Sequence, residues 1–361
     1  MRNLSHPFLT MMFSTLLLCS LLVTAVFSQS ATSQYIQSSG RVLYVSPPIS
    51  RLMGVDKQSW FWDDNIGFIP MDRLVDMVAN AGGNIWRQHM ISAQYPNSMA
   101  KFIDLKNKLD QRGIKLLIAT MGVNSWEFGY NWQEQADIIM NADGKGDKWI
   151  RDWGNIIAVL QPYAIDVMNE PRGIKGTTYE SKMTEAQFFE AYRQFCIKAI
   201  RAWREIKPDL VVVVANCPFY KPWTETGFDA NPINEPNIIY SVHYYYAYDN
   251  NYPPSYLPEQ RAYWDGNLAE AKKLLAKRID YDTLAMRNKG LVIIYEEVGT
   301  NVANPNAAVF MQDFYDLCKE RNIGVIHHCL AAYPRSPAGL LNSDWATLNA
   351  IGEVWARNMS P

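Results

Sequence analysis

The stretch Ala164-Ile165-Asp166-Val167-Met168-Asn169-Glu170-Pro171-Arg172-Gly173 decides how the chain is read. Its front half is mostly apolar and too short for a helix, so it predicts a buried strand. Pro171 has no N–H to give to a ladder, so the strand is expected to end at about Glu170. An amide and a carboxylate then stand side by side at the carboxyl end of a buried strand. In parallel α/β folds that end is where ligands bind.

Outward from this stretch, short apolar strands alternate with amphipathic helices in both directions. Upstream, strands are expected over 51–56, 84–90 and 114–120, and helices over 71–80, 99–111 and 148–160. Gly82-Gly83 and Gly113 mark helix stops. Downstream, strands are expected over 210–215, 237–243, 291–297 and 323–330, and helices over 184–206, 267–287, 306–321 and 345–357. The helix at Thr184 opens with Thr-x-x-Gln, a capping-box pattern. The fifth strand is apolar throughout, as in a strand covered on both faces. Only 217–236, between strands five and six, lacks a convincing helix. Eight strands separated mostly by helices predict a parallel sheet, and this length fits a single-domain (β/α)8 TIM barrel over 31–361. A short hairpin over 35–46, turning at Ser39-Gly40, precedes it and is expected to cap the bottom of the barrel.

Residues 1–30 read differently. Arg2 precedes the apolar run Leu16-Leu17-Leu18-Cys19-Ser20-Leu21-Leu22-Val23-Thr24-Ala25-Val26-Phe27, and small and polar residues follow. This predicts a secretory signal peptide cut after Ser28 or Ser30. The apolar stretch over 8–27 is also long enough for an uncleaved N-terminal anchor. Either way a secreted, extracellular protein is expected, touching a membrane only if the segment is retained. Of five cysteines, Cys19 lies in this leader. Cys196, Cys217, Cys318 and Cys329 permit two disulfides or stand as buried thiols, and their spacing is not that of a zinc site.

With 48% apolar residues and a net charge of −2, composition points away from disorder and from a nucleic-acid partner. Twelve Trp and twenty Tyr are enough to fill a core and still line a groove for sugar rings. A monomer without cofactor or metal is expected.

In such a barrel the carboxyl ends of the strands ring one opening. The tips carry Arg87 with His89, Asn169 with Glu170, His243 with Tyr245, and Glu296 with Glu297. The loops add Trp60, Trp62, Trp126, Trp223 and Trp264. Carboxylates on strands four and seven would face each other across the mouth. Glycoside hydrolysis uses that geometry: one carboxyl protonates the leaving oxygen and the other attacks or activates water. Strand seven offers two acids in Val292-Ile293-Ile294-Tyr295-Glu296-Glu297-Val298-Gly299-Thr300. Side chains alternate along a strand, so only one is expected to face the axis. The apolar residues upstream do not say which. An ion pair with a neighbouring helix is the ordinary expectation for Glu296. His327 and His328 are adjacent on a strand and should point apart, which makes a poor metal site.

Asn169-Glu170-Pro171, His243-Tyr244-Tyr245 and Glu297-Val298-Gly299-Thr300 together resemble glycoside hydrolase family 5, the cellulases and β-mannanases of clan A. The resemblance implies that Glu170 is the general acid/base and Glu297 the nucleophile of a retaining enzyme. It implies that Asn169 binds the sugar 2-hydroxyl, that Arg87 and Tyr245 hold the nucleophile, and that His243 orients the network. The sequence departs from the family in two places. Ala119-Thr120-Met121-Gly122 stands where the family has a His after strand three, and His328 stands in place of its strand-eight Trp. Both departures bear on the glycone site and imply a divergent member.

The substrate implied is a β-linked polysaccharide, foremost β-1,4-glucan, cleaved with carboxyls about 5–5.5 Å apart. A β-mannanase or another clan A glycosidase, a transglycosylase using the same acids, and a non-catalytic carbohydrate-binding barrel are the alternatives.

Overall fold

The computed structural model describes strand segments 34–38, 41–45 and 53–57 and residues 71–92, 95–121, 132–215, 227–246, 257–332, 336–344 and 346–359. The leader, Cys217, Trp60, Trp62, Trp126 and Trp223 lie outside the described residues.

β1 (Gln34–Ser38) and β2 (Arg41–Val45) pair antiparallel as a separate two-stranded sheet, the expected hairpin. Eight strands then close a parallel barrel: β3 (Met53–Lys57), β4 (Ile85–Met90), β5 (Lys115–Thr120), β6 (Ala164–Asp166), β7 (Val211–Ala215), β8 (Ile238–Tyr246), β9 (Val292–Thr300) and β10 (Gly324–His328). Each pairs with the next, and β10 pairs with β3 to complete the circle.

The helices between them are α1 (Met71–Asn80), α2 (Tyr95–Gln111), α3 (Trp132–Ile139), α4 (Lys145–Leu160), α5 (Glu185–Ile206), α6 (Pro258–Trp264), α7 (Leu268–Arg287), α8 (Ala307–Glu320) and α9 (Ala350–Asn358). Thr184 accepts from the Gln187 N–H while the Gln187 side chain returns to the Thr184 N–H, so the predicted capping box forms. α9 starts later than expected because Asn349 caps it, accepting from the Ile351 and Gly352 N–H groups at 3.0 Å each. Among the described residues no helix is long and apolar enough to cross a membrane. Cys196, Cys318 and Cys329 are all buried, and Cys329 donates its thiol to Ser336 at 3.2 Å.

Two apolar layers hold the fold. The larger lies between sheet and helices. The smaller fills the barrel and consists of Ile85, Leu117, Ala164, Val211, Val213, Ile239, Ile294 and Ile326. Side chains on one face of a strand recur every second residue. Two residues beyond this floor, the inward row therefore carries Arg87, Ala119, Asp166, Ser241, Glu296 and His328. An apolar floor below and a polar layer above is how this barrel sets a reactive face at its carboxyl end.

Strand β6 is shorter than expected. The ladder ends at Asp166, four residues before the expected end at Glu170. The Asp166 carboxylate accepts the Met168 N–H at 3.3 Å, which bends the chain locally. The Val167 and Asn169 N–H groups still bond to Val213 and Thr120 carbonyls, at 3.0 and 3.1 Å, so the segment stays on the barrel rim.

Candidate active site

Arg87 is the hub of the polar layer. It is fully buried, and its guanidinium reaches several neighbours. Nε donates to Glu296 Oε1 at 2.9 Å, Nη1 to Glu297 Oε1 at 2.6 Å and Nη2 to Asn169 Oδ1 at 2.6 Å. Nη1 also lies 2.5 Å from His89 Nε2, and Nη2 lies 3.8 Å from Asp166 Oδ2. A planar fork of five donors suits such convergent recognition, which a lysine could not provide.

Both strand-nine acids face inward, contrary to the expectation from alternation. Ile294 lies in the barrel floor, so Glu296 follows it on the inward row. The register against β8 then slips: Val242 pairs with Tyr295, but His243 pairs with Glu297. Glu296 is the extra residue of a β-bulge, and the bulge turns Glu297 inward as well. Glu296 therefore does not pair with an outer helix. It is fully buried beneath Glu297, held by Arg87 and by the Ser241 hydroxyl at 2.6 Å.

Glu297 is closely enclosed at the mouth. Tyr245 donates its hydroxyl to Oε2, His243 Nδ1 lies 3.4 Å from the same oxygen, and His328 Nδ1 lies 3.9 Å away. His89 Nε2 stands 3.4 Å from Oε1. Burial by itself pushes this carboxyl up, but the net shift is well below the ordinary carboxylate range. The charge of His243 opposes burial most, followed by Arg87 and His328, with the contact to His89 adding to them.

Glu170 sits opposite. Its φ of 46° places a non-glycine residue in the left-handed region, an uncommon conformation that recurs at functional sites. The Gln135 side chain clamps that turn. It donates to the Glu170 carbonyl at 3.5 Å and accepts the Arg172 N–H at 3.0 Å. Its helix, α3, is one the periodicity did not reveal. The Glu170 side chain keeps 29% exposure against 5% for Glu297, as suits a group that meets both substrate and water. His243 Nδ1 lies 3.4 Å from Glu170 Oε1, so one imidazole stands between the two glutamates. An oxygen of Glu170 and an oxygen of Glu297 come within 4.8 Å of each other.

Asp166 lies in the polar layer and is fully buried. Burial first, then the charge of Glu296, raises its carboxyl well above the usual range, and the opposing charge of Arg87 does not undo this. Its carboxyl therefore keeps its proton to higher pH than an exposed aspartate does.

The residues expected at the site thus converge in the structure: Arg87, Asn169, Glu170, His243, Tyr245, Glu297 and His328. The His328 ring meets Tyr245 edge-on at 5.8 Å and lies 6.0 Å from His89. His89, Asp166, Ser241 and Glu296 complete the layer. Alternation offered a signal for His89, since it stands two residues beyond Arg87 on the same face. Trp264 ends α6 instead of lying in a loop. His89, Glu297 and His328 carry donor atoms within 4.8 Å of one another, a spacing that could suit a metal. Arg87 Nη1, at 2.5–2.6 Å from His89 and Glu297, already places a fixed positive charge there.

The profile of the cellulase family, glycosyl hydrolase family 5, matches residues 59–333. Comparison with curated protein sequences gives no match. Solved structures share the fold at low identity. A hyperthermophilic endocellulase from the archaeon Pyrococcus horikoshii superposes with a TM-score of 0.65 at 14% identity, over 90% of this chain and 99% of that one. The cellulose synthase subunit Z from Clostridioides difficile gives 0.62 at 17% identity, over 84% and 99%. A broad-specificity endoglucanase from Ruminococcus flavefaciens gives 0.64 at 15%, over 86% and 96%.

Proposed function

Since the chain belongs to glycosyl hydrolase family 5 and is a glycoside hydrolase, we propose that it is an endo-β-1,4-glucanase that retains anomeric configuration through Glu170 and Glu297. The observation that carries this reading is the approach of the two carboxylates within 4.8 Å across His243. Retaining enzymes hold their carboxyls about 5–5.5 Å apart, whereas inverting enzymes leave about 6.5–9.5 Å for a water.

In the first step Glu297 attacks the anomeric carbon while Glu170 gives its proton to the glycosidic oxygen. The carbon–oxygen bond breaks, its electron pair leaves with the aglycone, and a glycosyl ester forms on Glu297. In the second step Glu170 takes a proton from water. The resulting oxygen attacks the same carbon, and Glu297 leaves as a carboxylate. The environments support this division of labour. Glu297 is held ionised by the cations around it, as a nucleophile must be. Glu170 is partly open to the mouth, where protons are exchanged. Asn169, fixed by Arg87 Nη2, stands ready to meet the 2-hydroxyl of the sugar.

The choice of β-1,4-glucan rests on the family and on relatives of the same fold. The endocellulase of Pyrococcus horikoshii has been crystallised with cellotetraose. Digestion of cellulose, lichenan, xylan and mannan, with product analysis, tests the polymer. Proton NMR of the first-formed anomer tests retention. A first product of inverted configuration, or short oligosaccharides from mannan alone, would overturn the corresponding part of the reading. The leader sequence supports export, and the N-terminal residue of the secreted protein tests cleavage near Ser28 or Ser30.

A further inference from the structure

Glu296 has no part in the double displacement, yet it is an acid set deep under the mouth. It is fully buried, and each of its oxygens is engaged. Oε1 accepts Arg87 Nε at 2.9 Å, Oε2 accepts the Ser241 hydroxyl at 2.6 Å, and His243 Nε2 lies 3.9 Å from Oε2. The bulge that turns Glu297 inward leaves both acids on one guanidinium.

Resting on the two-glutamate mechanism above, we propose that Glu296 is a positioning residue: the permanent counter-ion that holds Arg87 in place through both halves of the reaction. Glu297 is an anion in the free enzyme and a neutral ester in the glycosyl-enzyme. While the ester exists, Arg87 loses the charge of that partner. A buried guanidinium without a counter-charge is strongly destabilising, and it would draw water or move. Asn169 is neutral, and Asp166 stands farther off, its Oδ2 3.8 Å from Nη2, with its carboxyl pushed up by burial and by Glu296 itself. Among the described residues Glu296 is the carboxylate besides Glu297 that touches the guanidinium directly, at 2.9 Å, and Ser241 fixes its far oxygen. The hub that orients Asn169 and Glu297 therefore keeps its position when Glu297 changes charge.

The same arrangement tempers the nucleophile. Glu297 is faced by Arg87 and His89 from β4, Glu170 beyond β6, His243 and Tyr245 from β8, and His328 from β10. Glu296 is faced by Arg87, Asp166, Ser241 and His243. Glu296 shares the charge of Arg87 and so keeps Glu297 from being over-stabilised as an anion.

The test compares wild type, Glu296→Gln and Glu296→Asp on an aryl β-cellobioside. Glu297 is first identified as the residue labelled by a 2-deoxy-2-fluoro cellobioside. Glu296→Gln should lower kcat about ten-fold or more. It should move the acid limb of kcat/KM to lower pH, because Arg87 then acts on Glu297 alone. Glu296→Asp restores the charge and should return the acid limb to its wild-type position. A merely structural role would loosen Arg87 from Glu297 and move that limb up or leave it. Either result overturns the proposal. Thermal melts add a second reading, and Glu296→Gln should lower Tm more than Glu297→Gln. Should Glu296→Gln fail to fold, Glu296→Asp decides: a wild-type acid limb supports the proposal, and a displaced one overturns it. A label on a residue other than Glu297 overturns the mechanism and the proposal together. A label on Glu297 with an unmoved limb overturns the proposal alone.

Discussion

Arg87 Nη1 lies 2.6 Å from Glu297 Oε1, inside a barrel where neither side chain is more than 5% exposed. Removing one member of a buried ion pair typically destabilises by about 3–5 kcal/mol, because the other charge is left alone. Arg87 also orients Asn169, so its loss should disturb folding and chemistry together. Arg87→Met is expected to lower stability by about that amount, read by urea denaturation, and to move the acid limb of activity to higher pH. Arg87→Lys should behave almost as badly, since one ammonium cannot reach Glu296, Glu297 and Asn169 at once. Wild-type activity in Arg87→Lys would contradict this account of the hub.

Glu170 and Glu297 should fail in different ways. General acid/base assistance typically contributes about 10²–10⁴-fold, so Glu170→Gln should lose that much on a polysaccharide. On an aryl glycoside with a good leaving group the first step needs no proton. There Glu170→Ala should stall as a glycosyl-enzyme, and added azide should restore turnover with retention. Glu297→Ala forms no ester. With azide it should give a product of inverted configuration. Identical azide products from both variants would show that the roles are misassigned.

The eight-strand order was legible because each strand is a short apolar run closed by Gly, Pro or a polar tip. The convergence of Arg87, Glu170, His243, Tyr245 and Glu297 followed from placing those tips on one ring. Two helices escaped. α3 and α6 span two turns or so, too few for a 3.6-residue period to stand out. Yet α3 supplies Gln135, which holds the Glu170 turn. The bulge at Glu296 could not be read from β9 alone, because it is a property of register between neighbouring strands. Alternation therefore predicted one inward glutamate where the barrel has two. The short β6 has a similar origin: Pro171 was the visible breaker, but Asp166 bends the chain first.

Asp166 and Glu297 should give stability opposite dependences on pH. Glu297 has a depressed carboxyl, so its contribution is present above the unfolded value of about 4.3 and is lost as pH falls through the folded one. Asp166 has a raised carboxyl, so the folded state keeps a proton that the unfolded chain releases above about 3.9. Its contribution therefore falls as pH rises from that value through the folded one. Asp166→Asn imitates the neutral form and keeps an oxygen for the Met168 N–H. The variant should match or exceed wild-type Tm at pH 7, and the difference should shrink at pH 4. A variant clearly less stable at pH 7 than at pH 4, relative to wild type, would mean that Asp166 is ionised in the folded protein.

Gly299 gives the sharpest test of packing around the site. It stands two residues beyond Glu297 and pairs with Tyr245 in the sheet. A Cβ there would lie 2.5 Å from the His328 carbonyl oxygen, 2.9 Å from Ala338 Cβ and 3.4 Å from Tyr245 Cε1. The first contact is with backbone and cannot be relieved by turning a side chain. β9 and β10 would have to part, carrying His328 away from Glu297, and the added methyl would press on the Tyr245 ring of β8. Overpacking of this kind typically destabilises by about 1–3 kcal/mol. Gly299→Ala should therefore remain folded with a reduced Tm. Its activity should fall further than that stability loss explains, because the Tyr245 hydroxyl no longer meets Glu297. Tyr245→Phe removes the same hydroxyl without moving the strands, so it should reproduce the loss of activity but not the loss of Tm. Normal activity in Gly299→Ala would show that β9 and β10 can separate without disturbing Glu297.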